Sequence, residues 1–386
     1  MSIKKLVYEK RSCDCCGSNF FKSIWHYSHN SPTADGTYHW KINNVRCIKC
    51  GFIFVSPAPS LTSLKKYYRS LHSIFSHQEI DYSIQKRIKI IKRFVKKKNF
   101  YLEIGGNKTD KFHNQIKKIF KKTYLVEVNE DHNGPYRSIS DIKKINFSVI
   151  TAYFVLEHLR NPLEFIIQCA NKLETNGKLI IEVPNLKVYC KKSDGLMFEH
   201  LSHFSPESLE LLAIQAGLRK VFIGIRDCSR NYGFVAIFEK EKKNKNILRS
   251  KNLLKQIVKS DIKMFTKGVK KIKIFYKKID KIAQILKLYK SKQVLIWGAN
   301  INTSILISKY KLKNKIVVID SDHRKENYLY DIAKIKVLKP LDIKEQFNTF
   351  KLIIIMTKRH SREIIKNIRE NLSKKSITSH TIILDI

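Results

Sequence analysis

The stretch Tyr101-Leu-Glu-Ile104, followed by Gly105-Gly106, decides the fold of the central part of this chain. A short apolar run before two glycines predicts a buried strand that ends in a tight turn, where the backbone can approach a ligand closely. A helix is predicted to begin near Asp110, so that its N-terminal N–H groups point at the same place. Further apolar runs alternate with helical segments at 123–128, 147–152 and 177–184. This alternation predicts a mainly parallel sheet that is covered on both faces.

Two acidic residues accompany this turn. Glu103 stands just before the glycines, and Glu127 lies at the end of the second predicted strand. An acidic side chain in the second position can accept hydrogen bonds from both hydroxyls of a ribose. The order of strand, glycine turn, helix, strand and acid therefore predicts a site for a nucleoside cofactor.

The remaining sequence divides into distinct segments. Residues 1–60 are rich in cysteine, histidine and aromatic residues, and we expect them to form a zinc-ribbon-like module. Residues 61–240 form the central α/β domain, which begins with helical segments and ends in an antiparallel hairpin. Residues 241–292 carry apolar residues at a four-three spacing and predict an amphipathic helical linker. Residues 293–386 repeat the strand and helix alternation and predict a second, smaller Rossmann-like α/β domain.

Four cysteines form two pairs with the spacing of metal-binding knuckles. Cys13 and Cys16 make the first pair, and Cys47 and Cys50 make the second. Two such turns complete a tetrahedral four-thiolate site for a structural Zn²⁺ ion. Cys15 is an additional thiol in the first knuckle, and a redox pair is the alternative interpretation. The histidines between the pairs, His26, His29 and His39, are expected to be ordinary residues and not ligands.

The formal net charge is +42, from 75 Lys and Arg against 33 Asp and Glu. The lysines are spread along the whole chain, which favours a solvated surface over a nucleic-acid interface. We find no signal peptide and no run of about 20 apolar residues that would span a membrane. The expected location is therefore the cytoplasm, where clustered cysteines serve as metal ligands and not as disulfides.

The central motifs resemble those of class I S-adenosylmethionine-dependent methyltransferases over about residues 100–240. The resemblance implies S-adenosylmethionine as the cofactor and an activity of methyl transfer. The cofactor-binding residues that it implies are Glu103, Gly105 and Gly106 at the methionine end, Glu127 at the ribose, Asp141 at the adenine edge, and the flanking residues Ala152, Tyr153 and Phe154.

A narrower resemblance links the ends of the chain to sugar C-methyltransferases. The stretch Val45-Arg-Cys-Ile-Lys-Cys-Gly-Phe-Ile-Phe-Val-Ser-Pro-Ala-Pro59 is similar to their zinc module, and Phe198-Glu-His-Leu-Ser-His-Phe-Ser-Pro206 is similar to their Glu-His signature. Their C-terminal nucleotide-fold-like domain also starts with a strand and Gly-Ala, as Gly298-Ala299 does here. The acceptor that this resemblance implies is a nucleotide-linked keto-sugar.

This chemistry needs a base that removes a proton beside a carbonyl and a polar group that stabilises the enolate. His200 is the predicted base, since its ordinary pKa lies near neutrality, and Glu199 is predicted to orient it or to bind a sugar hydroxyl. Tyr68 and His203 are predicted to contact the substrate. The alternative for His200 is a loop histidine that only precedes the helix starting at Ser205-Pro206. The pair Glu157-His158 is expected to be structural.

Several hypotheses remain open from the sequence. The enzyme could instead be an O- or N-methyltransferase of a surface-polysaccharide sugar or a small metabolite, or an RNA methyltransferase, which is suggested by charge alone. An inactive zinc-dependent scaffold is the hypothesis outside enzymes. The Gly298-Ala299-Asn300 turn and Asp320 predict a substrate-side lid or a nucleotide-sugar cradle. The apolar stripe of the linker favours packing on its own chain, as a monomer, over a homodimer seam.

Overall fold

The structure is a computed structural model, and it describes most of the chain. The described residues are 3–33, 36–70, 81–106, 111–127, 136–191, 196–240, 247–289, 293–310, 312, 316–322, 325–326, 329–330, 335–357 and 361–371. The helices and strands below are given for these residues.

The N-terminal part is a β structure built around a long hairpin. Its strands are β1 (Ile3–Lys5), β2 (Tyr8–Glu9), β3 (Phe21–Thr33), β4 (Gly36–Cys47), β5 (Ile53–Val55) and β6 (Ala58–Pro59). Strands β3 and β4 pair along almost their whole length, and β4 also pairs with β1 and β5. Buried aromatic side chains, including Trp40, fill the space between this sheet and the helix that follows.

The central part contains the predicted alternation of strands and helices. Its elements are α1 (Leu61–Arg69), α2 (Asp81–Phe94), β7 (Phe100–Ile104), α3 (Lys111–Lys117), β8 (Lys122–Val126), β9 (Phe147–Tyr153), α4 (Pro162–Lys172), β10 (Leu173–Pro184), β11 (Ser202–His203), α5 (Pro206–Gln215), β12 (Leu218–Gly224) and β13 (Gly233–Lys240). The sheet order is β12-β13-β10-β9-β7-β8. Strands β7 to β10 run parallel, and β12 and β13 close the sheet as the predicted antiparallel hairpin.

Strand pairing crosses the predicted boundary at residue 60. Strand β11, from the central part, pairs with β5 of the N-terminal sheet, with Ser202 opposite Phe54 and His203 opposite Ile53. Phe198 lies in the same buried cluster as Trp40. This pairing could not be predicted from the sequence, because a strand of two residues is too short to show a recognisable period.

The predicted linker contains one continuous helix, α6 (Ile247–Lys287), of 41 residues. Its apolar stripe packs on the same chain. Phe265 and Val269 lie against the N-terminal and central parts, and Ile279 and Leu286 lie against the C-terminal sheet. Full burial of a phenylalanine such as Phe265 contributes about 2–3 kcal/mol. Of the helices described, none combines the length and the apolar character that a membrane crossing requires.

The C-terminal part is a third sheet with its own core. Its elements are β14 (Val294–Trp297), α7 (Ile301–Tyr310), β15 (Ile316–Ile319), β16 (Leu329–Tyr330), β17 (Ile335–Leu338), β18 (Leu352–Ile355) and α8 (Ser361–Asn371). The strand order is β16-β17-β15-β14-β18, and all pairs except β16 with β17 are parallel.

Candidate active site

The four knuckle cysteines come together as the spacing predicts. The Sγ atoms of Cys13 and Cys50 are 3.4 Å apart, those of Cys16 and Cys47 are 3.5 Å apart, and all four lie within 4.8 Å of one another. Tetrahedral Zn–S bonds of about 2.3 Å require S···S separations of roughly 3.8 Å. The donor set and its size therefore fit one Zn²⁺ ion. Cys15 is buried beside this group but is not a member of it.

Backbone geometry explains the glycines after β7. Gly105 has φ of +78°, and its N–H donates to the carbonyl of Val126 on the neighbouring strand at 2.9 Å. A Cβ on Gly105 would lie 2.4 Å from Cγ2 of Val155, and one on Gly106 would lie 2.4 Å from Oε1 of Glu103. The turn thus offers bare backbone at the end of the strand, which fits the close approach of the methionine end of S-adenosylmethionine.

A histidine that the sequence reasoning missed supports this turn. Nδ1 of His113, in α3, lies 2.8 Å from Oε2 of Glu103, and both side chains are buried. The contact fixes the Glu103 carboxylate against Gly106. The sequence feature that could have identified His113 is a polar residue in the first turns of the helix after a glycine turn.

The segment Ala152 to Phe154 lies beside the turn. Ala152 in β9 is the register partner of Ile104 in β7, so the carboxyl ends of these two strands are adjacent. The chain leaves β7 toward β8 on one side and enters β9 on the other, and ligands bind at such a switch point. Phe154 has φ of +58°, and its N–H donates to the carbonyl of Glu182 at 2.8 Å. This left-handed residue redirects the chain into Glu157 and His158.

Glu127 and Asp141, the two predicted nucleoside contacts, lie in different surroundings. Glu127 directly follows β8 at the same edge of the sheet, where Arg137 donates to its backbone carbonyl at 3.0 Å. Asp141 has a local role in addition to its predicted one. Its Oδ2 accepts from the backbone N–H groups of Arg137 and Ser138, at 2.9 and 2.8 Å, and closes a short 3₁₀ turn. The contact of Asp141 with the adenine stays a prediction.

The Glu-His loop brings four titratable residues together. The rings of His158 and His200 lie edge to face with centroids 4.9 Å apart. Nδ1 of His158 lies 3.3 Å from the carbonyl oxygen of Glu199, and its Nε2 lies 3.9 Å from a carboxylate oxygen of Glu157. The N–H of Leu201 donates to the carbonyl of Glu157 at 2.7 Å and ties this loop to the turn after β9.

Burial changes the charge state of this cluster. It raises the pKa of Glu157 to about 8, and Oε2 of Glu157 has no hydrogen-bond partner within the described part of the chain. Burial also holds the pKa of His158 well below its ordinary value, and the nearby His200 lowers it further. The pKa of Glu199 is raised by burial. At neutral pH, Glu157 is thus mostly protonated and His158 is neutral, so that pair adds no net charge beside His200.

Glu157 and His158 were expected to be structural. The backbone of Glu157 does hold the loop, but the His158 ring also packs on the predicted base, and a carboxylate oxygen of Glu157 lies within 4.8 Å of a His200 ring nitrogen. The sequence signal was the second Glu-His pair itself, directly after the cofactor-flanking strand.

Two tyrosines of α1 face the same loop. The Tyr67 hydroxyl donates to Oε1 of Glu199 at 2.5 Å and contacts Oγ of Ser31 at 2.8 Å. Tyr67, which the sequence reasoning missed, therefore positions Glu199. The Tyr68 hydroxyl is buried near Glu199 and Glu157 and has no hydrogen-bond partner among the described residues.

His203 is a correction. It is buried in β11, its Nε2 lies 2.8 Å from Oδ1 of Asn44, and its Nδ1 lies 3.3 Å from the Tyr189 hydroxyl. Both ring nitrogens are thus used by the protein, and its ring packs on Phe265 of α6. This placement makes His203 a link between three parts of the chain and not a substrate contact.

An arginine, Arg230, lies beside Phe154 and near the Glu-His loop. The Arg230 guanidinium stacks on the Phe154 ring at 4.2 Å and donates to the Tyr232 hydroxyl at 2.8 Å. Its loop is anchored because Ser229 donates from both N and Oγ to the buried Glu182 carboxylate, which also pairs with Arg87. Isolated arginines carry little sequence signal, so this one was found only in the fold.

Comparison with known proteins gives one family match. A family described as a methyltransferase domain matches residues 77–222. No curated protein matches the chain.

Three of the solved structures that the chain matches are methyltransferases. A S-adenosylmethionine-dependent methyltransferase from Clostridium acetobutylicum is 11% identical, with a TM-score of 0.35 over 42% of this chain and 91% of the other. A SAM-dependent methyltransferase from Archaeoglobus fulgidus is 18% identical, with a TM-score of 0.36 over 44% and 97%. The N-methyltransferase NodS from Bradyrhizobium japonicum, in complex with S-adenosyl-L-homocysteine, is 15% identical, with a TM-score of 0.33 over 41% and 87%.

The family match covers the strand, glycine turn and helix that the sequence singled out, and it ends just beyond the Glu-His loop and α5. Residues 77–222 in the central part of this chain therefore match a methyltransferase domain, and this match supports an enzyme.

Proposed function

We propose that the enzyme methylates a carbon atom of a nucleotide-linked keto-sugar and that His200 is the base. The observation that carries this proposal is the placement of His200. Its loop is bonded to the turn after β9 through Leu201 and Glu157, so a buried imidazole lies next to the cofactor-flanking strand. A methyltransferase that acts on an oxygen or nitrogen lone pair needs less of this acid–base machinery.

The cofactor is held, in this proposal, by the carboxyl edge of the parallel sheet. Gly105 and Gly106 offer backbone, Glu103 is fixed by His113, and Glu127 binds the ribose. Tyr153 and Phe154 flank the crevice, and Ala152 lies in β9 opposite Ile104 of β7. When bound, S-adenosylmethionine supplies an electrophilic methyl group on a positively charged sulfur.

Different side chains carry out the separate acid–base steps. His200 takes the proton from the carbon beside the acceptor carbonyl and holds it on a ring nitrogen, while the electron pair of the C–H bond forms the enolate. Tyr68 and Arg230 face the negative charge that develops on the carbonyl oxygen. The enolate carbon would be the atom that receives the methyl group from a bound S-adenosylmethionine. Tyr67 keeps Glu199 in place beside the base.

The proposal includes a structural role for zinc. Four cysteine sulfurs fill every tetrahedral position, which leaves none for a substrate. The knuckles lie at one end of the N-terminal sheet, and that sheet includes β11, which begins two residues after His200. Zn²⁺ would therefore stabilise the sheet on which the catalytic loop depends.

The test separates proton removal from methyl transfer. A nucleotide-linked keto-sugar is incubated in D₂O with zinc-replete enzyme, and deuterium at the carbon beside the carbonyl is followed by NMR with and without S-adenosylmethionine. We expect exchange by the unsubstituted enzyme without cofactor and methylation with it. His200→Gln should reduce both by about 100-fold or more, since base catalysis is worth about that much.

The matched control is His26→Gln, because His26 is an exposed histidine on β3. It should leave both rates unchanged, and cofactor binding by calorimetry should survive either substitution. Methylation of the sugar on oxygen without any deuterium exchange would reject C-methylation and favour the O-methyltransferase. Absence of cofactor binding to the unsubstituted enzyme would reject the whole proposal.

A further inference from the structure

A cavity of about 460 Å³ opens between the N-terminal hairpin and the long helix α6. Strand β3 and α6 form its opposite walls, and Ile305 of α7 closes one side. Its size lies within the range of small-molecule sites, roughly 300–1,000 Å³. The cavity is separate from the sheet edge where the cofactor is proposed to bind.

One wall of the cavity is aromatic. The rings of Trp25 and Tyr27 stack at 4.2 Å with an angle of 16° between them, and Tyr276 of α6 lies 6.3 Å from Tyr27. Flat aromatic walls of this kind suit a planar ring, such as a nucleobase.

His29 is an unsatisfied polar group in the same wall. Only 6% of its surface is exposed, and its Nε2 has no hydrogen-bond partner within the described parts of the chain. Burial lowers the pKa of His29 to about 3, so the ring is neutral and can either donate or accept a hydrogen bond. An unpaired buried polar atom costs about 1–3 kcal/mol, and a ligand that bonds to it recovers that energy.

The opposite wall provides positive charge. Lys273 and Lys277 are exposed and four residues apart, so they lie on one face of α6. Asp280 also lines the cavity and accepts a hydrogen bond from the Tyr310 hydroxyl. Two ammonium groups opposite an aromatic wall match a ligand with one planar ring and two neighbouring phosphates.

The cavity is connected to the Glu-His loop through two contacts. The ring of His29 stacks on Phe198, at 4.0 Å, and Phe198 directly precedes Glu199. Ser31, two residues further along β3, contacts the Tyr67 hydroxyl that binds Glu199. These contacts connect the wall of the cavity to Glu199 and the neighbouring His200.

The turn that the sequence favoured as a nucleotide cradle lacks these features. Oδ2 of Asp320 accepts from the N–H of Ala299 at 2.8 Å and from Nζ of Lys325 at 2.9 Å, and Oδ1 accepts from the N–H of Asp322 at 2.9 Å. The carboxylate that would bind a ribose is thus already used to hold the turn.

We propose that the cavity between β3 and α6, and not the Gly298 turn, binds the nucleoside diphosphate part of the acceptor. The phosphates bind Lys273 and Lys277, the base lies along Trp25 and Tyr27, and His29 bonds to the ligand near Phe198. This inference rests on the proposed function for the sugar that follows the diphosphate, but the binding of the nucleotide itself can be measured alone.

The experiment is calorimetric titration of the full-length, zinc-replete protein with thymidine diphosphate, uridine diphosphate, thymidine and inorganic pyrophosphate. We expect at least one nucleoside diphosphate to bind more tightly than both thymidine and pyrophosphate. The double substitution Lys273→Ala/Lys277→Ala should weaken that binding by about 10-fold or more, since each lysine contributes a charge-assisted contact. His29→Gln should weaken it by less.

Matched controls exclude an effect of overall charge. Lys270→Ala/Lys278→Ala removes two exposed lysines from the same helix outside the cavity, and it should leave binding unchanged. Equal weakening by both double substitutions, or pyrophosphate that binds as tightly as the diphosphates, would overturn the proposal. Loss of binding in Asp320→Asn with none in Lys273→Ala/Lys277→Ala would place the nucleotide at the Gly298 turn instead.

The outcome is independent of methylation. If nucleoside diphosphates bind through the cavity but no keto-sugar is methylated, the proposed function fails and the cavity proposal stands. If methylation occurs but Lys273→Ala/Lys277→Ala leaves both nucleotide binding and the KM for the acceptor unchanged, the cavity proposal fails alone.

Discussion

The chain contains two glycine turns at the ends of parallel strands, and they have the same backbone design. Gly105 follows β7 and donates to the carbonyl of Val126 at 2.9 Å, and Gly298 follows β14 and donates to the carbonyl of Ile319 at 2.8 Å. Both have positive φ, +78° and +117°. Each turn leads toward a helix or helical segment and is followed by a strand with an acid near its end, Glu127 or Asp320.

The surroundings of the two turns differ. At the second turn, Asp320 closes on Ala299, Thr303 donates to the carbonyl of Gly298, and Asn300 donates to the carbonyl of Met356. The first turn is supported from behind, by His113 on Glu103, and faces the crevice beside Phe154. The difference teaches that a strand and a glycine turn specify a fold, whereas the side chains around the turn decide whether a ligand can use it.

The largest expected effect comes from the cysteine cluster, which supports the crevice at the Gly105 turn and not the Gly298 turn. Cys47→Ala, or removal of zinc by a chelator, should destabilise the N-terminal sheet by more than about 5 kcal/mol, because structural zinc binding contributes folding free energy directly. Hydrogen exchange should then rise in β4, β5 and β11 and stay unchanged in β14 and β15. Cys190→Ala, at a cysteine outside the knuckles, is the control, and wild-type exchange in Cys47→Ala would contradict the zinc assignment.

A matched pair of glycine substitutions tests the comparison directly. Gly105→Ala would bring a Cβ to 2.4 Å from Val155, whereas at Gly298 the nearest atom to an added Cβ is 3.5 Å away. Both alanines are strained by about 1–2 kcal/mol because of the positive φ. Only Gly105→Ala should weaken S-adenosylmethionine binding, by about 100-fold or more, as measured by calorimetry. Equal loss in both variants would show that the second turn takes part in cofactor binding.

The buried carboxyl of Glu157, beside the crevice at the Gly105 turn, predicts that the free energy of unfolding depends on pH. Its pKa is raised from 4.5 to about 8, so the folded state holds the proton more tightly than the unfolded state. This contribution is complete below the unfolded pKa and is lost as the pH rises toward 8.

Glu157→Gln removes that dependence. Between pH 5 and 8, the free energy of unfolding of the variant should fall less steeply than that of the unsubstituted enzyme, with a difference of up to about 1.4 kcal/mol per pH unit, measured by urea titration. Glu164→Gln, an exposed position on α4, is the control. Parallel pH profiles for the enzyme and Glu157→Gln would mean that Glu157 is already ionised in the folded state.

The smallest effect is expected at the second turn. Asp320→Asn keeps an acceptor for Ala299 but weakens the contact with Lys325, and a partly buried ion pair of this kind is worth about 1 kcal/mol. A small drop in Tm with unchanged cofactor binding is the expected result. Loss of methyl transfer in this variant would remove the distinction between the two turns.

The sequence by itself determined the elements that follow from local chemistry. Strand, glycine turn and helix around Gly105 follow from an apolar run and a residue that tolerates positive φ. The spacing of Cys13, Cys16, Cys47 and Cys50 determined a four-sulfur cluster, because two-residue spacers bring paired sulfurs to one point. The four-three spacing from Val258 onward predicted an amphipathic helix or helix pair, and the structure has one continuous helix there.

Tertiary structure decided the contacts between distant segments. His113 with Glu103, Tyr67 with Glu199, and His158 with His200 are separated by 10 to 132 residues, and no local pattern relates them. The same reason accounts for the surroundings of two predicted site residues. The Asp141 carboxylate accepts from backbone N–H groups three and four residues away, and His203 contacts Asn44 on strand β4 of the N-terminal sheet. A polar side chain forms a hydrogen bond with whichever partner lies within about 3 Å of it in the folded chain. The packing of the whole chain, and not the local sequence, decides which partner that is.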